Sequence, residues 1–307
     1  MTWPHRLFTG EISDYELKLL KVFRTITERG GFSMAEVELG ASKSAISKQM
    51  TDLELRLGVR LCSRGRSGFS LTPDGEKVYA AATQLFASLE VFRSELNDIL
   101  GDISGTLYLG IIDTLVTQAN SSLHRAIARY TAEHRGVSLK IISASAPEIR
   151  RSVQDMRLHV GITVMESSLD NTVSIPLFDE VSNLYCGARH PLFEVTDLDL
   201  TPELIADFPF VQHGYSEAER LLAEKFKLAP KSISHVTEGV LFLILSGQYL
   251  GFLPTHYADL WEKRGEIKPI LARHINKRTT VTAIAHQRIS GNAIIKNFLD
   301  QLSGGKA

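Results

Sequence analysis

Five side chains able to read or grip nucleic acid fall within seven positions: Ser42, Lys43, Ser44, Ser47 and Lys48. A hydroxyl can donate or accept at a base edge, and lysine can pair with guanine O6 or N7 or sit on a phosphate. Arg64 and Arg66 follow in "VRLCSRGRSGFSLT" (59–72), where a glycine-rich tip would carry guanidinium groups into a minor groove or onto phosphate. The plainer alternatives are a solvated helix face and a solubilising loop.

A second set of candidates stands at the ends of strand-like runs. Asp113 and Thr114 follow "LYLGII", Ser143 and Ser145 follow "LKII", Thr163 lies in "HVGITVM", and Thr237 and Glu238 follow "ISHV". Hydroxyls beside helix N-termini anchor carboxylates, although each of these residues alone also suits simple loop capping. Asp113 and Glu238 would bring negative charge into the same cleft. That favours a ligand that is cationic, zwitterionic or rich in hydrogen-bond donors, unless an arginine such as Arg150 or Arg151 neutralises an acid and restores an anion site.

Other chemistries lack residues. The ten histidines form neither H-x-x-x-H nor H-x-H, and Cys62 and Cys186 stand far apart and read as small buried hydrophobes. No metal, cofactor or disulfide is expected. The patterns G-x-S-x-G, G-x-x-x-x-G-K-S/T and a G-x-G-x-x-G following a strand are absent, so an enzyme is not expected.

The elements that must position these groups are legible in apolar spacing. Leu17, Leu20, Phe23 and Ile26 predict a helix over 14–29, ended by glycines at 30 and 31, and a short helix fits 33–39. After a turn at Gly40, Ser42 caps a helix with Ile46, Met50, Leu53 and Leu57 on one face and Ser44, Ser47, Lys48 and Thr51 on the other. Two helices joined by a glycine turn, the second polar and cationic at its start, form the helix-turn-helix that enters a major groove; the two short strands that follow form a wing with Arg64 and Arg66 at its tip.

Thr72 and Pro73 launch a helix expected to reach residue 100, ~42 Å long at about 1.5 Å per residue. Its reciprocal capping acid is missing, because Gly75 occupies that place. Val78, Ala82, Leu85, Leu89, Phe92, Leu96 and Ile99 repeat in a 4-3 pattern that suits a partner helix better than a helix lying on its own domain. Beyond a hinge at 101–105, strand-like and helix-like runs alternate through two sets, predicting a parallel sheet with helices on its faces and a cleft between two halves.

Charge supports that division. The chain has 34 Lys+Arg against 35 Asp+Glu, yet residues 42–72 carry six basic and two acidic side chains. No apolar run reaches the ~18–20 residues of a membrane span and no signal peptide is evident, so a cytoplasmic protein without membrane contact is expected.

With these elements in order, the chain resembles the LysR-type transcriptional regulators over nearly its whole length. The run from "LKLLKVFRTITERGGFSMAEVELG" through "ASKSAISKQMTDLELRLGVRL" to "LTPDGEKVY" carries the resemblance, with its Ser-x-x-Ser around Ala45 and Ile46 and its "LE.RLG" and "LT..G" features; "GTLYLGI" and "SGQYLGFLP" match more weakly. The resemblance implies an N-terminal winged helix-turn-helix with a long linker helix, followed by a two-lobed α/β periplasmic-binding-protein-like domain. It also implies double-stranded DNA and a small-molecule effector as partners, and linker-helix homodimers that pair into tetramers. The expected divisions are an extension at 1–13, a DNA-binding domain at 14–72, a linker helix at 73–100, and an effector domain at 106–307. Within the last, lobe I takes 106–178 and 272–307, and lobe II takes 179–271. Lys43 stands where the family often has glutamine, Ser44 where it often has proline, and His159 where an acid is usual. The runner-up is a DNA-binding protein whose α/β domain holds no ligand and serves assembly; a solute-binding transport protein is disfavoured by the DNA-binding module.

Overall fold

A computed structural model describes residues 12–65, 68–99, 103–119, 121–165, 168–196, 198–214 and 216–304. They form two compact units, one extending to Phe92 and the other beginning at Arg93.

The first unit comprises α1 (Asp14–Glu28), α2 (Phe32–Leu39), α3 (Lys43–Leu57), β1 (Cys62–Gly65), β2 (Gly68–Leu71) and, as far as Phe92, α4 (Pro73–Ile99). Gly40 closes α2 at φ +57°, a left-handed conformation that glycine adopts without steric cost. Ser42 then caps α3 by accepting from the Ala45 amide at 3.4 Å. Ile46, Met50 and Leu53 are fully buried against Leu19, Phe23 and Ile26, which turns Ser44 and Lys48 outward. Glu54, also buried, accepts from the Leu61 amide at 2.9 Å and the Cys62 amide at 3.3 Å, tying α3 to the first wing strand.

The wing differs from expectation in one respect. Its antiparallel register pairs Arg64 with Phe69 and Gly65 with Gly68, so Arg64 belongs to strand β1 and not to the tip. Arg66, residues 1–11 and residues 101–102 of the expected hinge lie outside the described residues, as do the side chains of Arg64 and Ile99.

At the start of α4 the Thr72 hydroxyl accepts from the Gly75 amide at 2.9 Å and donates to the Arg60 carbonyl at 2.6 Å. A Cβ on Gly75 would fall 1.9 Å from the Leu61 carbonyl oxygen, which is why no capping acid stands there. The heptad stripe divides its work. Val78, Ala82 and Leu85 pack into the core of their own unit, as a solitary amphipathic helix would, whereas Leu89, Phe92 and Leu96 are 40%, 58% and 44% exposed.

The second unit begins with β3 (Gly105–Ile111), α5 (Leu123–Glu133), β4 (Val137–Ser143), α6 (Ala146–Gln154), β5 (Val160–Val164) and β6 (Thr172–Gly187). It continues through α7 (Pro202–Ala206), β7 (Phe210–His213), α8 (Glu217–Lys225), β8 (Pro230–Ser234), α9 (Thr237–Leu245), β9 (Leu250–Pro254), α10 (Thr255–Lys263), β10 (Ile267–Ile270), β11 (Asn276–His286) and α11 (Ala293–Ser303). The strand order is β4-β3-β5-β11-β6-β9-β7-β8, with β10 also on β6. Strands β4, β3 and β5 are mutually parallel, as are β9, β7 and β8. The expected parallel sheet therefore holds within each half. Between the halves, β6 and β11 run antiparallel to each other over their whole paired length and carry the chain from one half to the other.

Only the end of β6 was anticipated, from "NLYCGA". Its first half contains Pro176, which cannot donate to a ladder; the register slips there, with Val281 facing Phe178 and Thr282 facing Pro176, and such a bulge accommodates the proline. Separate cores lie on the two sides, around Ile149, Val153, Leu158 and Ile284 in one half and around Leu184, Phe210, Leu250 and Phe252 in the other. Among the described residues no helix is long and apolar enough to cross a membrane.

Candidate functional site

The first unit presents a groove of about 800 Å³ where the start of α2, the start of α3 and the wing meet. Lys43, Ser44 and Ser47 line it from α3, Ser63 and Phe69 from the wing, and Met34, 68% exposed, from α2. The Ser42 and Ser44 hydroxyls sit 3.0 Å apart at the mouth of α3, and Lys48 is exposed one turn further on. Hydroxyls, cations and the positive end of a helix dipole thus share one face. Met34 and Ser63 were missed because nothing in their local sequence distinguishes a groove wall from an ordinary exposed position.

In the second unit the two halves enclose a cavity of about 410 Å³. Asp113, Thr114, Ser143, Ser145 and Thr237 all line it, as expected of groups at strand ends. Thr163 and Glu238 do not. Thr163 is completely buried, its hydroxyl near the Val164 carbonyl, and Glu238 is exposed on α9 away from the cavity. Strand alternation turns Thr163 into the interior, and the helical turn that aims Thr237 inward carries its neighbour outward.

Asp113 also has a different role from the one expected of it. Its carboxylate accepts from the Thr237 amide at 2.6 Å and from the Thr237 hydroxyl at 3.1 Å, capping α9 from the opposite half. Glu148 likewise turns back on Ser145 at the start of α6, accepting from its amide at 3.0 Å and its hydroxyl at 2.6 Å; that hydroxyl bond above all holds the Glu148 carboxyl below its ordinary range. The N-termini of α6 and α9, which open on the cavity, are therefore already supplied with a carboxylate by the chain itself.

The floor of the cavity comes from the crossing strands. Glu180 faces Thr279 and Ser182 faces Lys277 across β6 and β11, and all four line the cavity. Glu180 Oε2 lies 3.0 Å from His256 Nε2, whose Nδ1 is 2.7 Å from the Thr117 hydroxyl. Lys277 donates to Glu219 Oε1 at 2.8 Å and to Ser216 Oγ at 3.3 Å, and Glu219 also accepts from the His213 amide at 2.9 Å. Burial pushes the His213 imidazole below its ordinary pKa, so it is neutral near pH 7.

Two family models match the chain: the LysR substrate binding domain over residues 101–306, and the bacterial regulatory helix-turn-helix protein, lysR family, over residues 17–76. The HTH-type transcriptional activator BauR of Pseudomonas aeruginosa is 37% identical over 96% of this chain and 96% of its own. The chain belongs to the LysR family of transcriptional regulators. The regulator CfxR of Cupriavidus necator is 24% identical over 82% of this chain and 79% of its own length. Among solved structures, CbnR superposes with a TM-score of 0.63 at 16% identity, covering 95% of this chain and 99% of that one, and full-length OxyR from Pseudomonas aeruginosa with 0.61 at 21%, covering 93% and 94%. At such identities these show the fold.

In this LysR regulator the place where an acid is usual is occupied by His159, which does not reach the cavity. It stacks edge-on against Tyr108 with ring centroids 5.2 Å apart, and its Nδ1 accepts from the Tyr108 amide. Burial pushes its pKa down to about 4, so it is a neutral packing group. The residues that sequence reasoning missed, Glu180, Ser182, Lys277 and Thr279, are brought together only by the antiparallel register. The available signal was the polar alternation Glu180/Ser182 and Lys277/Thr279 inside otherwise strand-like runs.

Proposed function

We propose that this LysR-family protein activates transcription from a dyad-symmetric DNA site in response to a small molecule bound in the cavity of its C-terminal unit. The exposed polar face of α3 at the groove mouth carries the reading. Ser44, Ser47 and Lys48 meet base edges, Ser42 and Lys43 meet base or phosphate, and Arg64 and Arg66 grip the backbone beside the wing. The direction, activation, rests on the likeness to an activator at 37% identity. The protein works in the cytoplasm, as linker-helix dimers that pair into tetramers, with residues 106–307 as the effector domain. A cavity lined by polar side chains at the junction of two half-sheets favours the ligand-responsive reading over an assembly-only domain.

Lys48→Ala and Ser47→Ala are each expected to cost about 1–3 kcal/mol of discrimination between the specific site and random DNA. Fluorescence anisotropy with both duplexes measures this. Equal weakening on both would assign the residue to phosphate. Arg66→Ala should weaken all sequences and reduce the salt slope by roughly one unit; an unchanged slope counts against wing contact.

A further inference from the structure

We infer that the effector is a small amino acid, its ammonium held by Glu180 and its carboxylate by Lys277 with the Ser182 and Thr279 hydroxyls. This rests on the ligand-responsive reading above and names the chemistry of the same cavity.

Glu180 is only 6% exposed, and among the described residues its Oε2 meets His256 while its Oε1 has no partner. A buried carboxylate with an open oxygen on a cavity wall calls for a charged donor, because charge-assisted hydrogen bonds offset desolvation where neutral ones fall short. Two residues along β6 and one strand across stands Lys277. Its ammonium has three protons, of which two are committed to Glu219 and Ser216, leaving one to donate into the cavity. Diagonal neighbours on paired strands lie ~7–8 Å apart at Cα, so an acceptor of cations and a donor to anions face one small ligand.

Among the described residues one hydroxyl beside them is unspent. Thr279 Oγ1 is buried without a hydrogen-bond partner, an arrangement that costs stability until something enters to pair with it. Ser182, 2% exposed, lies on the same wall. An anion alone is poorly served here. The N-termini of α9 and α6 are capped by Asp113 and Glu148, the Lys277 charge is balanced by Glu219, and Arg150, the other lysine or arginine on the wall, donates to the Val164 carbonyl at 3.0 Å. A cation alone would leave the last Lys277 proton and the Thr279 hydroxyl unpaired. A cavity of about 410 Å³ is at the small end of the ~300–1,000 Å³ range of ligand sites, which suits a compact amphoteric molecule.

The test is a thermal-shift and calorimetric titration of the full chain with three matched series: unbranched amino acids of increasing amine–carboxylate spacing, the monoamines lacking the carboxylate, and the monocarboxylates lacking the amine. A ligand of the native state raises Tm by mass action. One or more amino acids should stabilise the protein while their amine and acid counterparts do not. Glu180→Gln, which preserves shape, should weaken that binding at least tenfold, whereas Glu238→Gln, outside the cavity, should leave it unchanged. Thr279→Val provides a check independent of any folding defect: the unliganded protein should be no less stable, and amino-acid binding should fall severalfold. Monocarboxylates stabilising as well as amino acids, or binding that survives Glu180→Gln, would overturn the assignment. So would stabilisation only by a sugar or aromatic compound, though this would leave a ligand-responsive regulator intact. A protein that binds specific DNA but none of the compounds in a broad metabolite set would overturn both the assignment and the ligand-responsive reading.

Discussion

Leu89→Asp is expected to separate the oligomer and abolish tight operator binding. Leu89, Phe92 and Leu96 continue the stripe that begins with Val78, yet they leave their own unit's core and stand substantially exposed, an apolar row on a solvated helix. Full burial of a Leu or Phe stabilises by about 1.5–3 kcal/mol, so pairing two such rows provides a driving force that one aspartate reverses by placing an unpaired charge at the seam. Two half-sites about one helical turn apart need both winged units held together. Losing several kcal/mol of that coupling lowers operator affinity by about 100-fold or more. Sedimentation would report a smaller oligomer, and anisotropy the weakened binding; an unchanged oligomer would refute the seam.

Glu54→Ala should destabilise the first unit by about 2–5 kcal/mol. The residue belongs to the "LE.RLG" run that carries the family resemblance, and its buried carboxylate takes the amides of Leu61 and Cys62. Removing it leaves two buried donors without that acceptor, each costing about 1–3 kcal/mol. The same bonds set the wing against α3, so DNA affinity should fall together with the denaturation midpoint. Glu54→Gln keeps the accepting oxygen and should recover most of both. If Glu54→Ala melts like the native chain, the account of how the wing is held is wrong.

These two cases also show what a sequence reveals and what it withholds. The winged helix-turn-helix was legible because its signals are local: Ser42 and Thr72 at caps, Gly40 at a turn, and Ile46, Met50 and Leu53 at helical spacing. Even there, Arg64 was misplaced by one step, since strand pairing runs to Gly65 and Gly68 where a glycine-rich string reads as loop. The α/β alternation likewise exposed two half-sheets. The cavity was only half visible, because Asp113, Thr114, Ser143, Ser145 and Thr237 end strands or begin helices, whereas Glu180 and Lys277 meet through a register linking positions nearly a hundred residues apart. Side-chain direction cannot be read from a run whose strand is itself obscured by Pro176. The acids singled out for the cavity were Asp113, which caps α9, and Glu238, which does not line it; Glu180 is a buried acid on its wall whose second oxygen has no partner among the described residues.

The central claim is sequence-specific DNA binding through α3 and the wing, and a nuclease footprint on the DNA upstream of the protein's own gene tests it most directly. The account predicts protection of two dyad-related half-sites about one helical turn apart, at concentrations at least about a thousandfold below those needed on unrelated DNA at the same salt, and loss of that preference in Lys48→Ala. Protection without dyad symmetry, at the same concentration as on unrelated DNA and unaltered by Lys48→Ala, would contradict it.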